Sequence, residues 1–330
     1  MKKTAVIILN WNGRKLLEEF IPSAARDCIT ETSDLIVADN GSDDDSLQWL
    51  SANHPEVKRL PLGRNYGFAE GYNRAIAATG YEYTLLLNSD VMTTPGWLAP
   101  LVEFMDANPD VAAVQPKILS YRNPGMFEYA GAAGGYLDRL GYPYCRGRLF
   151  ASIEPDRGQY DHADPDVCWA SGAAMLVRTA DYKAAGGLDA AFFAHMEEID
   201  LCCRFHAMAK RVCALGASAV YHLGGASLAA DNPRKTYLNF RNNLLLLHKN
   251  LPAYTGRRRI FVRRLADTLA FVMFLLTGKL PQAKAVLKAH TDFRRMRRNY
   301  TSLPERDTLS SLPGARRNIL IDYYLKRKKK

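Results

Sequence analysis

The sequence predicts an α/β fold: a mostly parallel central sheet flanked by helices and continued by a basic helical C-terminal extension. Three observations carry that prediction. Short apolar runs alternate with amphipathic stretches through the first half, the pattern of strands joined by crossover helices. Several of these runs stop abruptly in a polar cluster, which sets hydrogen-bonding side chains at the sheet edge where open α/β folds bind ligands. The charge is also divided: residues 251–330 hold 20 Lys and Arg against 5 Asp and Glu, and residues 1–250 hold 24 against 29.

Residues 5–9 are expected as the first strand and 13–26 as the first helix. Residues 34–38 form the second strand, ending at Asp39-Asn40-Gly41-Ser42, and 46–53 the next helix. A short strand over 57–60 and a helix over 67–79 lead to a fourth strand, 83–87, whose run Leu85-Leu86-Leu87 breaks off at Asn88-Ser89-Asp90. Residues 95–108 read as an amphipathic helix with Pro95 in its first turn, where a missing N–H costs nothing, and 111–115 as the next strand. From 120 to 166 the chain is rich in Gly, Tyr and Pro, so an irregular region with a hairpin or two is expected. Such segments often line variable substrate sites.

Order returns in a strand over 173–177, entered through Trp169-Ala170-Ser171-Gly172. A helix is expected near 198–208, then final strands over 212–215 and 219–221 before His222-Leu223-Gly224-Gly225. A helix over 234–250 presents Tyr237, Phe240, Leu244 and Leu247 on one face.

Two units are expected: a catalytic domain over 1–250 and a basic, amphipathic helical tail over 251–330. The apolar run 269–276 is far short of the ~20 residues a spanning helix needs. Flanked by Lys and Arg, it suits a helix lying on an anionic membrane surface. The alternative is a run packed on the main domain with the cations as a solvated face. Nucleic-acid binding is disfavoured, because aromatics are not interleaved with the basic residues as a stacking platform requires.

Met1-Lys2-Lys3-Thr4 runs straight into the first strand, with no room for a signal-peptide h-region. The six cysteines show no CxxC or CxxH pair, so neither a zinc site nor a disulfide framework is indicated. The expected location is cytoplasmic, peripheral on the inner face of the cell membrane.

Asp90 is the first candidate functional acid, although an Asp after a strand is common in turns, where its side chain bonds nearby backbone. What singles it out is an ordered set: Asn10-Trp11-Asn12, Asp39-Asn40-Gly41-Ser42, Asn65-Tyr66-Gly67, Asn88-Ser89-Asp90, Glu197-Glu198-Ile199-Asp200 and His222. With these motifs the chain resembles the family 2 glycosyltransferases, inverting enzymes of the GT-A nucleotide-sugar fold, and within them the rhamnosyltransferase-like group.

The resemblance implies a site for a nucleotide-diphosphate sugar. The loop with Asn10 and Asn12 contacts the nucleotide, Asp39 accepts a hydrogen bond from the base, and Asn65, Gly67 and Asn73 lie beside it. Asn88-Ser89-Asp90 stands in place of the DXD motif, which holds a divalent cation, Mg²⁺ or Mn²⁺, against the diphosphate. A departing nucleoside diphosphate carries several negative charges that such a cation neutralises. Asn88 replaces the usual Asp, so Asp90 is left as the charged ligand and fewer direct ligands are expected. His222 matches a histidine that some members use as a further metal ligand. Imidazole suits Mn²⁺ better than Mg²⁺, whereas a lone His is more often structural. Trp169 resembles the segment beside the acceptor. Arg241-Asn242 matches a recurrent pair in which Arg241 reaches a phosphate or, equally, makes a surface salt bridge.

Inversion needs a base that takes the acceptor hydroxyl's proton opposite the leaving group, and one carboxylate suffices. By resemblance that base is Glu198, where Asp is usual; Glu197 is the runner-up, and Asp200 caps or orients the following helix. The plainer reading of all three is an acidic helix N-terminus favoured by the macrodipole.

The implied function is metal-dependent, inverting transfer of a sugar, rhamnose by resemblance, to a glycan or lipid-linked saccharide of the cell surface. The alternative is a membrane-associated sugar-nucleotide-binding or scaffold protein without catalysis. A dinucleotide oxidoreductase is disfavoured by Asn10-Trp11-Asn12-Gly13 where G-x-G-x-x-G would stand. A nucleotidyltransferase would want a Gly-rich basic loop, of which only Gly13-Arg14-Lys15 is present.

Overall fold

A computed structural model describes residues 2–224, 232–301 and 303–326. Gly225 of the expected closing turn lies outside the described residues. Strand β1 (Thr4–Asn10) pairs in parallel with β2 (Ser33–Asp39) on one side and β4 (Tyr83–Leu87) on the other, and β3 (Lys58–Pro61) extends the sheet beyond β2. Helices α1 (Arg14–Cys28), α2 (Ser46–Asn53) and α3 (Phe68–Ala77) make the crossovers.

The strands are apolar on both faces because both are covered. Ala5 and Ile7 of β1, Ile36 and Ala38 of β2 and Leu86 of β4 join one core with Tyr72 and Ile76 of α3. Val6, Ile8, Leu35, Val37, Leu85 and Leu87 alternate into a second core with Leu17 and Ile21 of α1.

Past β4 the sheet turns mixed. A two-residue strand β5 (Val91–Met92) and helix α4 (Leu98–Ala107) precede β6 (Val111–Ser120). Pro95 lies outside α4, not in its first turn, because Gly96 at φ +75° turns the chain before the helix begins. The 120–166 region holds four short antiparallel strands, β7 (Gly135–Leu137), β8 (Pro143–Cys145), β9 (Arg148–Leu149) and β10 (Ser152–Ile153), which form a sheet of their own.

Strand β11 (Ala174–Arg178) enters antiparallel between β4 and β6. Helices α5 (Thr179–Ala184) and α6 (Glu197–Ala207) follow it. The two strands expected over 212–221 are one, β12 (Arg211–His222), parallel to β6 with an irregularity between Leu215 and Ala219. Its last residue pairs with Val91 of β5.

Helix α7 (Pro233–Asn250) packs on α8 (Ala253–Leu276) and α9 (Leu280–Met296). The chain then returns to the small sheet. Ile319 is buried with Tyr144 and Leu149, its N–H donates to Asp138 at 3.1 Å, and Tyr144 Oη donates to the Gly314 carbonyl.

Candidate active site

Between β1 and β4 the path of the chain reverses: β2 and β3 step away on one side and β4 returns on the other. Such a switch point leaves a crevice at the carboxyl ends of the strands. Asn10 closes β1 there, and Asn88 to Asp90 follow β4.

Two loops form one cradle at this edge. Asn10 Nδ2 donates to Asp39 Oδ1 at 3.0 Å and to Ser42 Oγ at 3.1 Å. Asp39 accepts further bonds from the Ser42 hydroxyl and N–H, and Asn12, at φ +50°, accepts from the Asp43 N–H. Asn40 Nδ2 donates to Asn65 Oδ1 and the Gly67 carbonyl, while its Oδ1 accepts from the Tyr66 N–H. Gly41 permits this approach, since a Cβ there would lie 2.5 Å from Arg64 Cα. Asn10, Asn12, Asp39, Asn65 and Gly67 are thereby brought together. Asn10 Oδ1 is buried with no hydrogen-bond donor.

Beside the cradle, the β5–β12 pairing sets His222 against Asp90 across 132 positions of sequence, with Nε2 at 3.1 Å from Asp90 Oδ1. The Asn88 amide stands 3.4 Å from the same nitrogen. Nδ1 faces Glu128 Oε2 at 3.4 Å. Burial alone would lower the His222 imidazole, but Asp90 and Glu128 reverse that and lift it to about 10.

Asp90 Oδ1 and His222 Nε2 converge as donors for a divalent cation, which would have to displace the ring proton that the two carboxylates hold, and Glu128 Oε2 stands behind Nδ1 at 3.4 Å. Among the described residues no three His, Cys, Asp or Glu form a cage by themselves. A cation here would complete its shell from ligand oxygens and water, as Mg²⁺ commonly does. Glu128 carries no signal in sequence, for it lies alone in the irregular region and is placed by the bond from its N–H to the Ile118 carbonyl.

The acidic cluster is presented by a strained loop. Phe193, His195 and Met196 have φ of 66°, 67° and 73°, conformations that cost roughly 1 kcal/mol or more each outside glycine. Helix α7 offsets that strain. Asn242 Nδ2 donates to the carbonyls of Phe192, Ala194 and His195 at 2.7–2.9 Å. Arg241 Nη2 donates to those of Ala191 and Phe192.

At the end of this loop one carboxylate oxygen each of Glu197 and Glu198, and Nε2 of His195, are buried without a partner. Burial, with Glu198 beside it, holds Glu197 well above the usual carboxylate range, and burial pushes Glu198 up to about 7. Burial, aided by the Lys235 charge, takes His195 down to about 4 and keeps it neutral. Glu198 adjoins Gly172, where a Cβ would lie 3.7 Å from its own, and Phe193 adjoins Gly67 of the cradle.

Four candidates are held elsewhere. Asp200 is not a cap: it is fully buried within α6 and accepts from Arg204, Lys249 and Asn250, tying α6 to α7. Trp169 is a core residue whose Nε1 donates to the Tyr136 carbonyl. Asn73 bridges α3 to the 182–188 turn through Tyr182 Oη and both backbone polar groups of Leu188. Arg241 makes no surface salt bridge among the described residues, because it is buried against the backbone of the strained loop.

Residues 5–144 match Glycosyl transferase family 2. The N-acetylglucosaminyl-diphospho-decaprenol L-rhamnosyltransferase of Mycobacterium tuberculosis is 28% identical over 214 residues, which is 59% of this chain and 68% of that protein. Among solved structures, S. aureus TarS 1-349 in complex with UDP-GlcNAc superposes with a TM-score of 0.56 at 19% identity, covering 88% of this chain and 80% of that one. GalNAc-T7 with UDP, GalNAc and Mn2+ superposes with a TM-score of 0.54 at 15% identity over 67% of this chain, which spans only 43% of the GalNAc-T7 chain. The architecture is GT-A.

Proposed function

We propose that this chain is a glycosyltransferase of family 2 that transfers one sugar, with inversion and with a divalent cation, from a nucleotide-diphosphate sugar to a lipid-linked saccharide. The observation that carries the proposal is the pair of buried, partly unpartnered carboxylates of Glu197 and Glu198 beside a polar cradle at the sheet's switch point. Unpaired buried polar atoms are costly, and they mark a surface built for something else to complete.

In this reading the loops of Asn10, Asn12, Asp39, Asn65 and Gly67 hold the nucleotide. Asp90 and His222, with Asn88 near them, would hold the cation, which when bound neutralises the diphosphate as it departs. The acceptor hydroxyl oxygen forms a bond to the anomeric carbon as that carbon's bond to the diphosphate oxygen breaks. Glu198 takes the hydroxyl proton and the bond electrons leave with the nucleoside diphosphate. His195, kept neutral by burial, and Glu197 stand on the same segment of chain as Glu198. Asn242 and Arg241 act through the loop they hold and are positioning residues.

Rhamnose as donor sugar and a lipid-linked N-acetylglucosamine as acceptor follow from the mycobacterial relative's name. The Mn²⁺ of the GalNAc-T7 structure supports the cation. We assign residues 1–250 to catalysis and 251–330 to the membrane surface. Support comes from α8, where Leu269, Val272, Met273, Leu275 and Leu276 are exposed and not packed on the main domain. No described helix is long and apolar enough to cross a membrane. A peripheral position on the inner face of the membrane fits such a helix. The test is Glu198→Gln: donor binding kept with transfer lost supports the reading, and an unchanged transfer rate refutes the base.

A further inference from the structure

The arginines of α8 divide by direction. Arg259 and Arg263 meet carboxylates, Asp307 at 3.1 Å and Asp267 at 3.0 Å. Arg257 and Arg264 meet none among the described residues, and with Arg297 they line a cleft of about 480 Å³ together with His248, Ile260, Phe261 and Leu303. Arg257 donates to its own helix at the Ala253 carbonyl, and Arg297 stands over the Phe293 ring. Three guanidinium groups therefore gather around one opening without a neutralising acid in view.

The apolar side of that opening runs on along the helix. Phe261 lines the cleft and begins an exposed stripe through Leu265, Leu269, Val272 or Met273, and Leu276, spaced as one face of an α-helix. Guanidinium forks bind phosphate oxygens in pairs. A ligand that satisfies both halves has a phosphate head and a long apolar body.

We propose that this cleft is a binding site for a lipid phosphate, with the terminal phosphate held by Arg257, Arg264 and Arg297 and the acyl or isoprenoid chain continuing into the membrane along the α8 stripe. Three positive charges match a phosphomonoester or diphosphate better than the single charge of a phosphodiester. The inference rests on the membrane reading of the tail and adds to it a discrete site with headgroup preference.

The test is flotation of the full chain with phosphatidylcholine vesicles containing either phosphatidic acid or phosphatidylglycerol at matched surface charge. The wild type is expected to bind the phosphatidic acid vesicles about tenfold more tightly. The triple variant Arg257→Gln/Arg264→Gln/Arg297→Gln loses that preference, while its melting temperature and its release of nucleoside diphosphate in solution stay unchanged. Equal binding of the two vesicle types by the wild type, or an undiminished preference in the triple variant, overturns the site while leaving the membrane reading intact. Glycerol 3-phosphate competing as well as the vesicles would assign the cleft to a free phosphate and overturn the lipid. Failure of the wild type to float with any vesicle overturns both readings. Leu269→Asp/Met273→Asp is expected to abolish flotation with every composition.

Discussion

The Glu128 carboxylate stands 3.4 Å from Nδ1 of His222, on the side of the ring opposite Asp90. Nδ1 makes no hydrogen bond at that distance, and the carboxylate acts on the ring and on a bound cation through its charge. Glu128→Gln is therefore expected to weaken Mn²⁺ binding, measured by calorimetry with a nucleoside diphosphate present, by about 10- to 100-fold with the fold intact. His222→Ala should weaken it at least as much. Unchanged affinity in both variants would remove this pair from the metal site.

Glu198 is expected to act as the base only when ionised, and its carboxyl lies near 7. The transfer rate should rise with pH to an inflection near that value, and Glu198→Gln should lower it by about 10²- to 10⁴-fold at saturating donor. A flat profile between pH about 5 and 9 in the wild type would assign the proton transfer elsewhere.

The same burial has a stability signature. Glu198 is raised from 4.5 to about 7, so between those values the folded chain keeps a proton that the unfolded chain has released. The stability this confers is fully present below about pH 4.5 and is lost as pH rises through about 7. Glu198→Gln cannot ionise, and it should be more stable than the wild type by about 1–3 kcal/mol near pH 8 and closely similar near pH 5. Chemical denaturation at the two pH values checks this, and a wild type more stable near pH 8 would contradict it.

Both oxygens of Asp200, by contrast, are taken by Arg204, Lys249 and Asn250. Asp200→Asn leaves the half-buried Arg204 without its carboxylate and Lys249 with Asp189 alone, and is expected to cost about 2–4 kcal/mol. Thermal unfolding distinguishes the two carboxylates: a variant as stable as the wild type would undo the structural role given to Asp200.

Much of the sheet was legible because its strands are covered on both faces and read as continuous apolar runs ending in polar clusters, as at Leu85 to Asp90. The loops of Asn10 and Asp39 were legible for the same reason, whereas Asn65 follows the short, largely exposed β3. What was not legible depends on long-range pairing. His222 meets Asp90 only because β12 pairs with β5, and Glu128 reaches His222 only because its loop folds back on Ile118. Trp169, placed beside the acceptor by resemblance, and Arg241, read as a phosphate contact or a surface salt bridge, are each buried, since a Trp entering a strand and an Arg within a helix carry no local mark of the side they face. The four strands of the small sheet are two or three residues long, too short for a period to show.

The most direct test of metal-dependent transfer is to incubate the purified chain with a panel of nucleotide sugars and a lipid-linked acceptor, with Mn²⁺, with Mg²⁺ and with EDTA, beside Glu198→Gln. The account predicts nucleoside diphosphate release from one donor, abolished by EDTA, with an inverted anomeric linkage in the product and no turnover by Glu198→Gln despite retained donor binding. Release that is indifferent to EDTA, a retained linkage, or no release from any donor would contradict it.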